Sequence, residues 1–131
     1  MSENIIKDYP LRLADCMRSF DWSPVEDLAD EILKIRKKGG HIFLCGNGGS
    51  AANALHIAND LLYPSAGNRG KGLRVTALPA NQAVLTCLGN DLGYENIFSF
   101  QLRTLGAKGD LLIALSGSGN SKNIINAINT A

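Results

Sequence analysis

The sequence predicts an α/β fold in which a parallel sheet is enclosed between two layers of helices. Three short apolar runs are typical of strands that are buried on both faces. Segments with helical periodicity separate these runs, so strand and helix alternate along the chain. Parallel strands joined by right-handed crossovers are the simplest fold for such an alternation, and they give a three-layer sandwich. The 131 residues fit one domain.

Two helices are predicted in residues 1–39, ahead of the first strand. Apolar side chains recur at steps of three and four residues and define one face of the first helix. These side chains are Ile5, Ile6, Tyr9, Leu13, Met17 and Phe20. Pro10 interrupts this run and predicts a kink or a later helix start. The second helix is predicted to begin at Ser23, which has the character of an N-cap, and to end at Gly39.

The apolar surface of residues 1–39 exceeds what a small sheet needs for cover. We therefore expect this segment to pack against another subunit and to form the helical core of a dimer or tetramer. Residues 40–131 are then the α/β core of a single domain that spans residues 1–131.

Within residues 40–131 the strands and helices are predicted in alternation. The strands are predicted over residues 41–45, 73–78 and 110–115, and residues 63–72 are predicted to form a loop. The helices are predicted over residues 51–62, over 81–105 with a break at 89–93, and over 122–131. A sheet of about three parallel strands leaves an open edge, which is a liability for unwanted pairing. We therefore expect the core to be C-terminally incomplete, as part of a longer domain.

The composition argues against several classes of protein. The 13 basic and 12 acidic residues give a net charge of +1, so no cluster of cations predicts nucleic-acid binding. No apolar run approaches the roughly 18 residues of a membrane span, and the N-terminus lacks the apolar stretch of a secretory signal. The cysteines, Cys16, Cys45 and Cys87, are odd in number and widely spaced, so they predict buried, reduced thiols in a cytoplasmic protein.

Two loops rich in glycine and serine follow the first and third predicted strands. Residues 46–50 read Gly-Asn-Gly-Gly-Ser, and residues 116–121 read Ser-Gly-Ser-Gly-Asn-Ser. Each loop opens a helix, where free N–H groups and the helix dipole attract an anion. The spacing of Ser116, Ser118 and Ser121 allows three hydroxyl groups to converge on one phosphate.

Two other interpretations of these loops stay open. Both could be ordinary strand-to-helix turns with serine as the N-cap. A nucleotide-binding domain is the weaker alternative, because the loop at 46–50 has no P-loop lysine. Moreover, residues 78–80 are Leu-Pro-Ala at the place where a dinucleotide site needs an acidic residue. A phosphate monoester is therefore the favoured ligand.

The motifs in this order resemble the SIS (sugar isomerase) domain family over residues 11–131. The similarity rests on Gly-Asn-Gly-Gly-Ser-Ala-Ala at 46–52, His56, Gly-Asn-Asp at 89–91 and the serine loop at 116–121. It is greatest for the phosphoheptose isomerase branch, which converts sedoheptulose 7-phosphate to a heptose 7-phosphate. The resemblance implies a flavodoxin-like sheet of five strands and a tetramer with sites between subunits. It also implies a late acid/base histidine and two further strands, which lie beyond these residues.

The resemblance further implies roles for individual residues. Ser116, Ser118 and Ser121 would hold the sugar phosphate. Other substrate contacts would come from Asn47, Gly48, Gly49, Ser50 and Asp91. Gly117 stands where the family often has Thr, so one hydroxyl group is missing from this loop.

His56 and Asp60 are the candidate catalytic residues. They stand four residues apart on the helix that follows the first loop, so they share a face. Aldose–ketose exchange needs a base and an acid that move protons between C1, C2 and their oxygens. The resemblance implies that position 60, usually Glu, is the base and that His56 and Asp60 can bind zinc. Asp is one methylene shorter, which withdraws the carboxylate by about 1.5 Å and weakens catalysis.

Two functions follow from this comparison. The first is an isomerase that acts through an enediol with Asp60 as the base. The second is a non-catalytic binding module, either a phosphosugar sensor or a protein partner. One SIS branch associates with the bacterial replication initiator, and its Ser-Ala-Ala-Asn-Ala segment resembles residues 50–54. Asp60 in place of Glu favours the second function, in which His56 and Asp60 are only an exposed helical pair.

Overall fold

A computed structural model describes residues 3–63 and 71–131 of the chain. The helices are α1 (Glu3–Ser19), α2 (Ser23–Lys38), α3 (Gly49–Leu62), α4 (Gln82–Leu92), α5 (Ser99–Leu105) and α6 (Lys122–Thr130). The strands are β1 (His41–Gly46), β2 (Arg74–Ala77) and β3 (Leu111–Leu115), and short 3₁₀ turns occur at Leu78–Ala80 and Tyr94–Asn96. Among the described residues, no helix is long and apolar enough to cross a membrane.

The three strands form one parallel sheet in the order β2-β1-β3. The central strand pairs Ile42 with Val75 on one side and with Leu111 on the other. The predicted α/β class and three-stranded parallel sheet are therefore confirmed. The chain leaves β1 toward β2 on one side and returns past it to β3 on the other, so the strand order reverses at β1.

Alternate residues of β1 supply the two halves of the core. Ile42 and Leu44 pack with Ile35 of α2 and Ala54 of α3 on one face of the sheet. Phe43 and Cys45 face the opposite side. The second cluster there consists of Phe43, Cys45, Leu78, Leu88, Ile97, Phe98, Leu102, Ile124 and Ala127. Helices therefore cover both faces of the sheet and give the predicted three layers.

The chain divides into two compact units within α2, the first ending at Glu31 and the second beginning at Ile32. In the first unit, Trp22 Nε1 donates to the carbonyl oxygen of Met17 at 3.0 Å, and the Trp22 ring packs edge-on against Phe20. The large apolar side chains of α1 are exposed, and Ile6 keeps 80% of its surface accessible.

Several predicted boundaries need correction. α1 begins at Glu3 and runs through Pro10, so of the two alternatives predicted at this proline, a kink or a later helix start, the later start is wrong. Proline removes one helical hydrogen bond, and the rest of this helix continues around it. α3 begins at Gly49 rather than Ala51, and β2 ends at Ala77 because a 3₁₀ turn begins at Leu78. Most of the loop predicted at 63–72 lies outside the described residues.

The predicted helix break at 89–93 is wrong for all but its last residue. Gly89, Asn90 and Asp91 lie in the last turns of α4, which ends at Leu92. Gly93 follows with φ of 85°, a backbone conformation that favours glycine and ends the helix. The expectation of three buried thiols also fails, because Cys45 is buried and both Cys16 and Cys87 are exposed.

Candidate functional site

The sheet register brings the two glycine–serine loops together. Gly46, the last residue of β1, pairs with Leu115, the last residue of β3. The loops that follow these strands therefore leave the sheet side by side. Because the strand order reverses at β1, this is the crevice in which open α/β sheets bind ligands.

The first loop is a tight turn from β1 into α3. A Cβ on Gly46 would come within 2.6 Å of the carbonyl carbon and oxygen of Ser50, so only glycine fits. Gly48 has φ of 53°, and Gly49 is the first residue of α3. Gly48 provides no side-chain cap for this helix. The turn therefore exposes the positive end of the α3 dipole next to the crevice.

The second loop is folded around its own serine oxygens. Ser116 Oγ accepts a hydrogen bond from the Gly119 amide at 3.0 Å, and Ser118 Oγ accepts one from the Asn120 amide at 3.2 Å. Since both oxygens act as acceptors, their hydroxyl hydrogens stay available to donate to an anion. Ser121 is the N-cap residue of α6, but its hydroxyl does not cap this helix.

Both loops line one small concavity of about 160 Å³. Its polar lining comes from Asn47, Ser50, Ser116, Ser118 and Ser121. Sites for drug-sized ligands usually measure about 300–1,000 Å³, so this volume suits a phosphate group rather than a whole sugar phosphate. The structure therefore brings five of the predicted ligand contacts to one point, with two helix N-termini beside them.

A network of side-chain hydrogen bonds connects the first loop to α6, the helix that follows the second loop. Asn47 Nδ2 donates to Asn123 Oδ1 at 2.9 Å, and Asn123 Nδ2 donates to Asn47 Oδ1 at 2.7 Å. The Tyr94 hydroxyl also donates to Asn47 Oδ1, at 3.0 Å. The sequence analysis missed Asn123 and Tyr94. One signal was present, because Asn123 is a polar residue next to Ile124 on the buried side of α6.

A second concavity of about 280 Å³ adjoins the first. It shares Asn47 and Ser121 with the smaller concavity and is completed by Tyr94, Glu95, Lys122 and Asn123. Lys122 brings a cationic side chain to the lining of the concavity that adjoins the predicted phosphate position, and the sequence analysis missed it as well. Together the two concavities provide an anion-sized end and a larger polar extension.

His56 and Asp60 lie on successive turns of α3. His56 Nε2 is 3.5 Å from Asp60 Oδ2, and the two side chains are 78% and 50% exposed. As the sequence predicts, they share a helix face, but neither lines the two concavities described above. Structural zinc sites use four ligands and catalytic sites use three protein ligands. No group of three His, Cys, Asp or Glu side chains within residues 3–63 and 71–131 could hold a metal ion, so this pair alone does not complete a zinc site.

Asp91 lies one helical turn beyond Cys87 on α4 and is exposed. Its carboxylate accepts hydrogen bonds from Cys87 Sγ at 3.4 Å and from Asn90 Nδ2 at 2.7 Å. The hydrogen bond and the negative charge of Asp91 raise the pKa of the Cys87 thiol, since both disfavour the thiolate. Asp91 does not line either concavity.

Comparisons with known proteins agree on one family. A profile of the SIS domain family matches residues 8–131. The chain is 45% identical over 108 residues to the phosphoheptose isomerase of Aliarcobacter butzleri (strain RM4018) and 39% identical over 132 residues to that of Helicobacter hepaticus. These alignments cover 82% and 100% of this chain.

A solved structure shares the fold. The phosphoheptose isomerase GmhA from Neisseria gonorrhoeae superposes with a TM-score of 0.82 at 34% sequence identity, over 97% of this chain and 68% of that one. The chain spans only part of its curated relatives, namely 57% of the A. butzleri protein and 67% of the H. hepaticus protein.

Proposed function

Because the chain belongs to the SIS domain family, we propose that its protein is an aldose–ketose isomerase of the phosphoheptose type. The substrate is sedoheptulose 7-phosphate, and the product is the corresponding aldose 7-phosphate. One observation carries the proposal: the two glycine–serine loops line a single phosphate-sized concavity at the point where the strand order reverses. The names of the relatives support the choice of substrate.

The phosphate of the substrate occupies the smaller concavity. Hydroxyl groups of Ser116, Ser118 and Ser121 donate to its oxygens, and the N-termini of α3 and α6 provide favourable dipoles. Lys122 adds a positive charge from the adjoining concavity. Because a charge-assisted hydrogen bond is roughly twice as strong as a neutral one, these donors fix the phosphate end firmly.

The reaction is a proton transfer along the open-chain sugar. A carboxylate takes a proton from C1 of the ketose, and the C2 oxygen gains a proton, which gives an enediol. Return of the first proton to C2 and loss of a proton from the C1 hydroxyl complete the aldose. Atoms and electrons balance with no external oxidant. We assign the carboxylate to Asp60, and His56 at 3.5 Å orients it.

A zinc ion can join this site only with ligands beyond the two that His56 and Asp60 offer. The two side chains lie on adjacent turns of α3, a spacing at which two side chains can bind the same ion. The remaining ligands would come from outside the described residues.

The second candidate is a binding module without catalysis, and Asp60 is the observation that favours it. Relative to glutamate, this side chain places its carboxylate about 1.5 Å nearer the helix, and a misplacement of about 1 Å can cost on the order of 100-fold in rate. In that case the same concavity binds a phosphosugar as a signal, or the domain docks on a protein partner.

We also propose that the protein acts in the cytoplasm as a homo-oligomer, a dimer or tetramer, assembled through α1. Ile6 and Tyr9 are 80% and 62% exposed. Burial of their apolar surface in an interface contributes a favourable free energy of about 25 cal/mol per Å². Light scattering should then show an oligomer, and Ile6→Asp should shift it toward the monomer. A monomeric wild-type protein would contradict this proposal.

Turnover of sedoheptulose 7-phosphate by the full-length protein tests the main proposal. We expect product formation in the wild type and its loss in Asp60→Ala, with or without added divalent metal. Binding of sedoheptulose 7-phosphate without turnover would favour the module instead. Absence of both turnover and phosphate binding would rule out both candidates.

A further inference from the structure

We propose that Asn123 is a positioning residue that sets the separation of the two phosphate-binding loops, with Tyr94 as its support. The inference rests on the proposed phosphate-binding function and adds Asn123 and Tyr94 to the residues that serve it. Asn123 itself does not line the smaller concavity. It acts through Asn47, which does.

Within residues 3–63 and 71–131, the Asn47–Asn123 amide pair provides the only side-chain hydrogen bonds between the loop after β1 and α6. The two residues are 76 positions apart in sequence, and their amides exchange both hydrogen bonds at 2.9 and 2.7 Å. Asn123 is only 2% exposed, so water cannot easily replace a lost partner. A directional, part-buried contact therefore holds the first loop against α6, the helix that follows the second loop.

The pair also fixes which atom Asn47 presents to a ligand. Asn47 Oδ1 accepts from both Asn123 Nδ2 and the Tyr94 hydroxyl, which fills its two lone pairs. Asn47 Nδ2 uses one of its two hydrogens on Asn123 Oδ1. The second hydrogen of Asn47 Nδ2 therefore remains free to donate to an anion. If the Asn47 amide were rotated by half a turn, it would present its oxygen, an acceptor, to the ligand instead.

Only an amide at position 123 satisfies every partner. Asn123 Oδ1 accepts from Asn47 Nδ2 and from the Ile124 amide, while its Nδ2 donates to Asn47 Oδ1. In Asn123→Asp, a carboxylate oxygen would face Asn47 Oδ1, and two acceptors would repel each other. Asn47 would then rotate or move, and the donor aimed at the phosphate would be lost.

The matched control is Asn126→Asp, on the same helix. Asn126 is half-buried, and its Nδ2 donates to the Glu95 carbonyl oxygen at 3.0 Å, so this variant also adds one negative charge and removes one hydrogen bond. It leaves the Asn47–Asn123 pair intact. A milder test of the network is Tyr94→Phe, which removes one exposed hydroxyl group and is expected to leave the folded structure unchanged.

The test is calorimetric binding of inorganic phosphate and of sedoheptulose 7-phosphate to the full-length protein, with melting temperatures recorded for each variant. We expect Asn123→Asp to bind both ligands at least about tenfold more weakly than the wild type. Tyr94→Phe should bind them a few-fold more weakly at an unchanged melting temperature. Asn126→Asp should bind them like the wild type. Where turnover is measurable, Asn123→Asp should raise KM with little change in kcat.

Wild-type affinity in both Asn123→Asp and Tyr94→Phe would overturn the positioning role while the proposed function stands. Equal losses in Asn123→Asp and Asn126→Asp would overturn it too, since charge alone would explain them. If Asn123→Asp does not fold, Tyr94→Phe decides the question by its affinity. A wild-type protein that binds neither ligand would instead remove the proposed function itself.

Discussion

Gly46 and Ser50 approach so closely that no side chain fits between them. A Cβ on Gly46 would lie 2.6 Å from the carbonyl carbon and oxygen of Ser50 and 2.9 Å from its Cβ. The contact turns the chain sharply from β1 into α3 and directs Ser50 toward the shared concavity. The position of Ser50, a predicted phosphate ligand, therefore depends on the absence of a side chain at Gly46.

Gly46→Ala should weaken both stability and phosphate binding. The added methyl group meets backbone atoms that cannot move independently, and overpacking of this kind costs about 1–3 kcal/mol. We expect a lower melting temperature and about tenfold weaker binding of inorganic phosphate by calorimetry. The matched control is Gly117→Ala, whose Cβ would have no atom within 4 Å. Similar losses in both variants would contradict the role of the close approach.

Gly117→Thr should strengthen phosphate binding. Open space surrounds the Cβ position at Gly117, and a threonine there would add one hydroxyl donor to the serine loop. A hydrogen bond to a charged group contributes about 1.5–3 kcal/mol, less the entropy of fixing the side chain, so we expect roughly a three- to tenfold gain. Gly117→Val has the same shape without the donor and should show no gain. A gain with valine would point to packing instead of hydrogen bonding.

Asp60→Glu should raise the rate of isomerisation. The longer side chain restores the reach of the base, and correcting a misplacement of about 1 Å can gain on the order of 10- to 100-fold in kcat. Initial rates with sedoheptulose 7-phosphate would measure the effect. The control is Asp27→Glu, in α2, which should leave the rate of isomerisation unchanged. An unchanged rate in Asp60→Glu, with phosphate binding intact, would favour the non-catalytic module.

Asp91→Asn should make the Cys87 thiol more reactive. The hydrogen bond and the charge of Asp91 hold the pKa of Cys87 above its ordinary value, so their loss lowers the pKa and increases the thiolate fraction. We expect several-fold faster alkylation of Cys87 by iodoacetamide at pH 8, followed by peptide mass spectrometry. Exposed Cys16 is the internal reference. Buried Cys45, whose pKa burial raises to about 11, should stay unmodified.

Asp110→Asn should destabilise the protein at neutral pH and much less in acid. Burial raises the pKa of Asp110, but hydrogen bonds from the His41 and Ala107 amides, at 2.9 and 2.8 Å, outweigh it and leave the pKa below 3.8. A lowered folded-state pKa contributes stability at neutral pH that is lost as the pH falls below about 4.

Thermal unfolding at pH 7, 5 and 3 would measure this dependence. We expect a difference of about 1 kcal/mol between the wild type and Asp110→Asn at pH 7, because asparagine can accept only one of the two amide bonds at full strength. The difference should shrink toward pH 3. Phosphate binding should not change, since Asp110 lies at the opposite end of the strands. A difference independent of pH would contradict the role of the charge.

Local patterns in the sequence were enough to predict the elements and the family. The apolar run at 41–45 predicts a doubly buried strand, and β1 does bury both faces with Ile42 and Phe43 in different clusters. Similarity to the SIS family, read from the loops and His56, is confirmed by the family profile. The prediction of a helix boundary was wrong where glycine is compatible both with the helix and with its end. The sequence predicts a helix break that begins at Gly89, whereas the positive φ that ends α4 belongs to Gly93.

By itself, the sequence determined the alternation of strands and helices, the two glycine–serine loops and the family, because each depends on residues close together in the chain. The tertiary structure decided that β1 lies between β2 and β3, that Gly46 is beside Leu115, and that Asn47 meets Asn123. Such contacts join residues that are distant in sequence, 76 positions apart for Asn47 and Asn123, and they depend on strand order and register. Neither follows from periodicity, since the same apolar pattern fits a strand at any place in a buried parallel sheet.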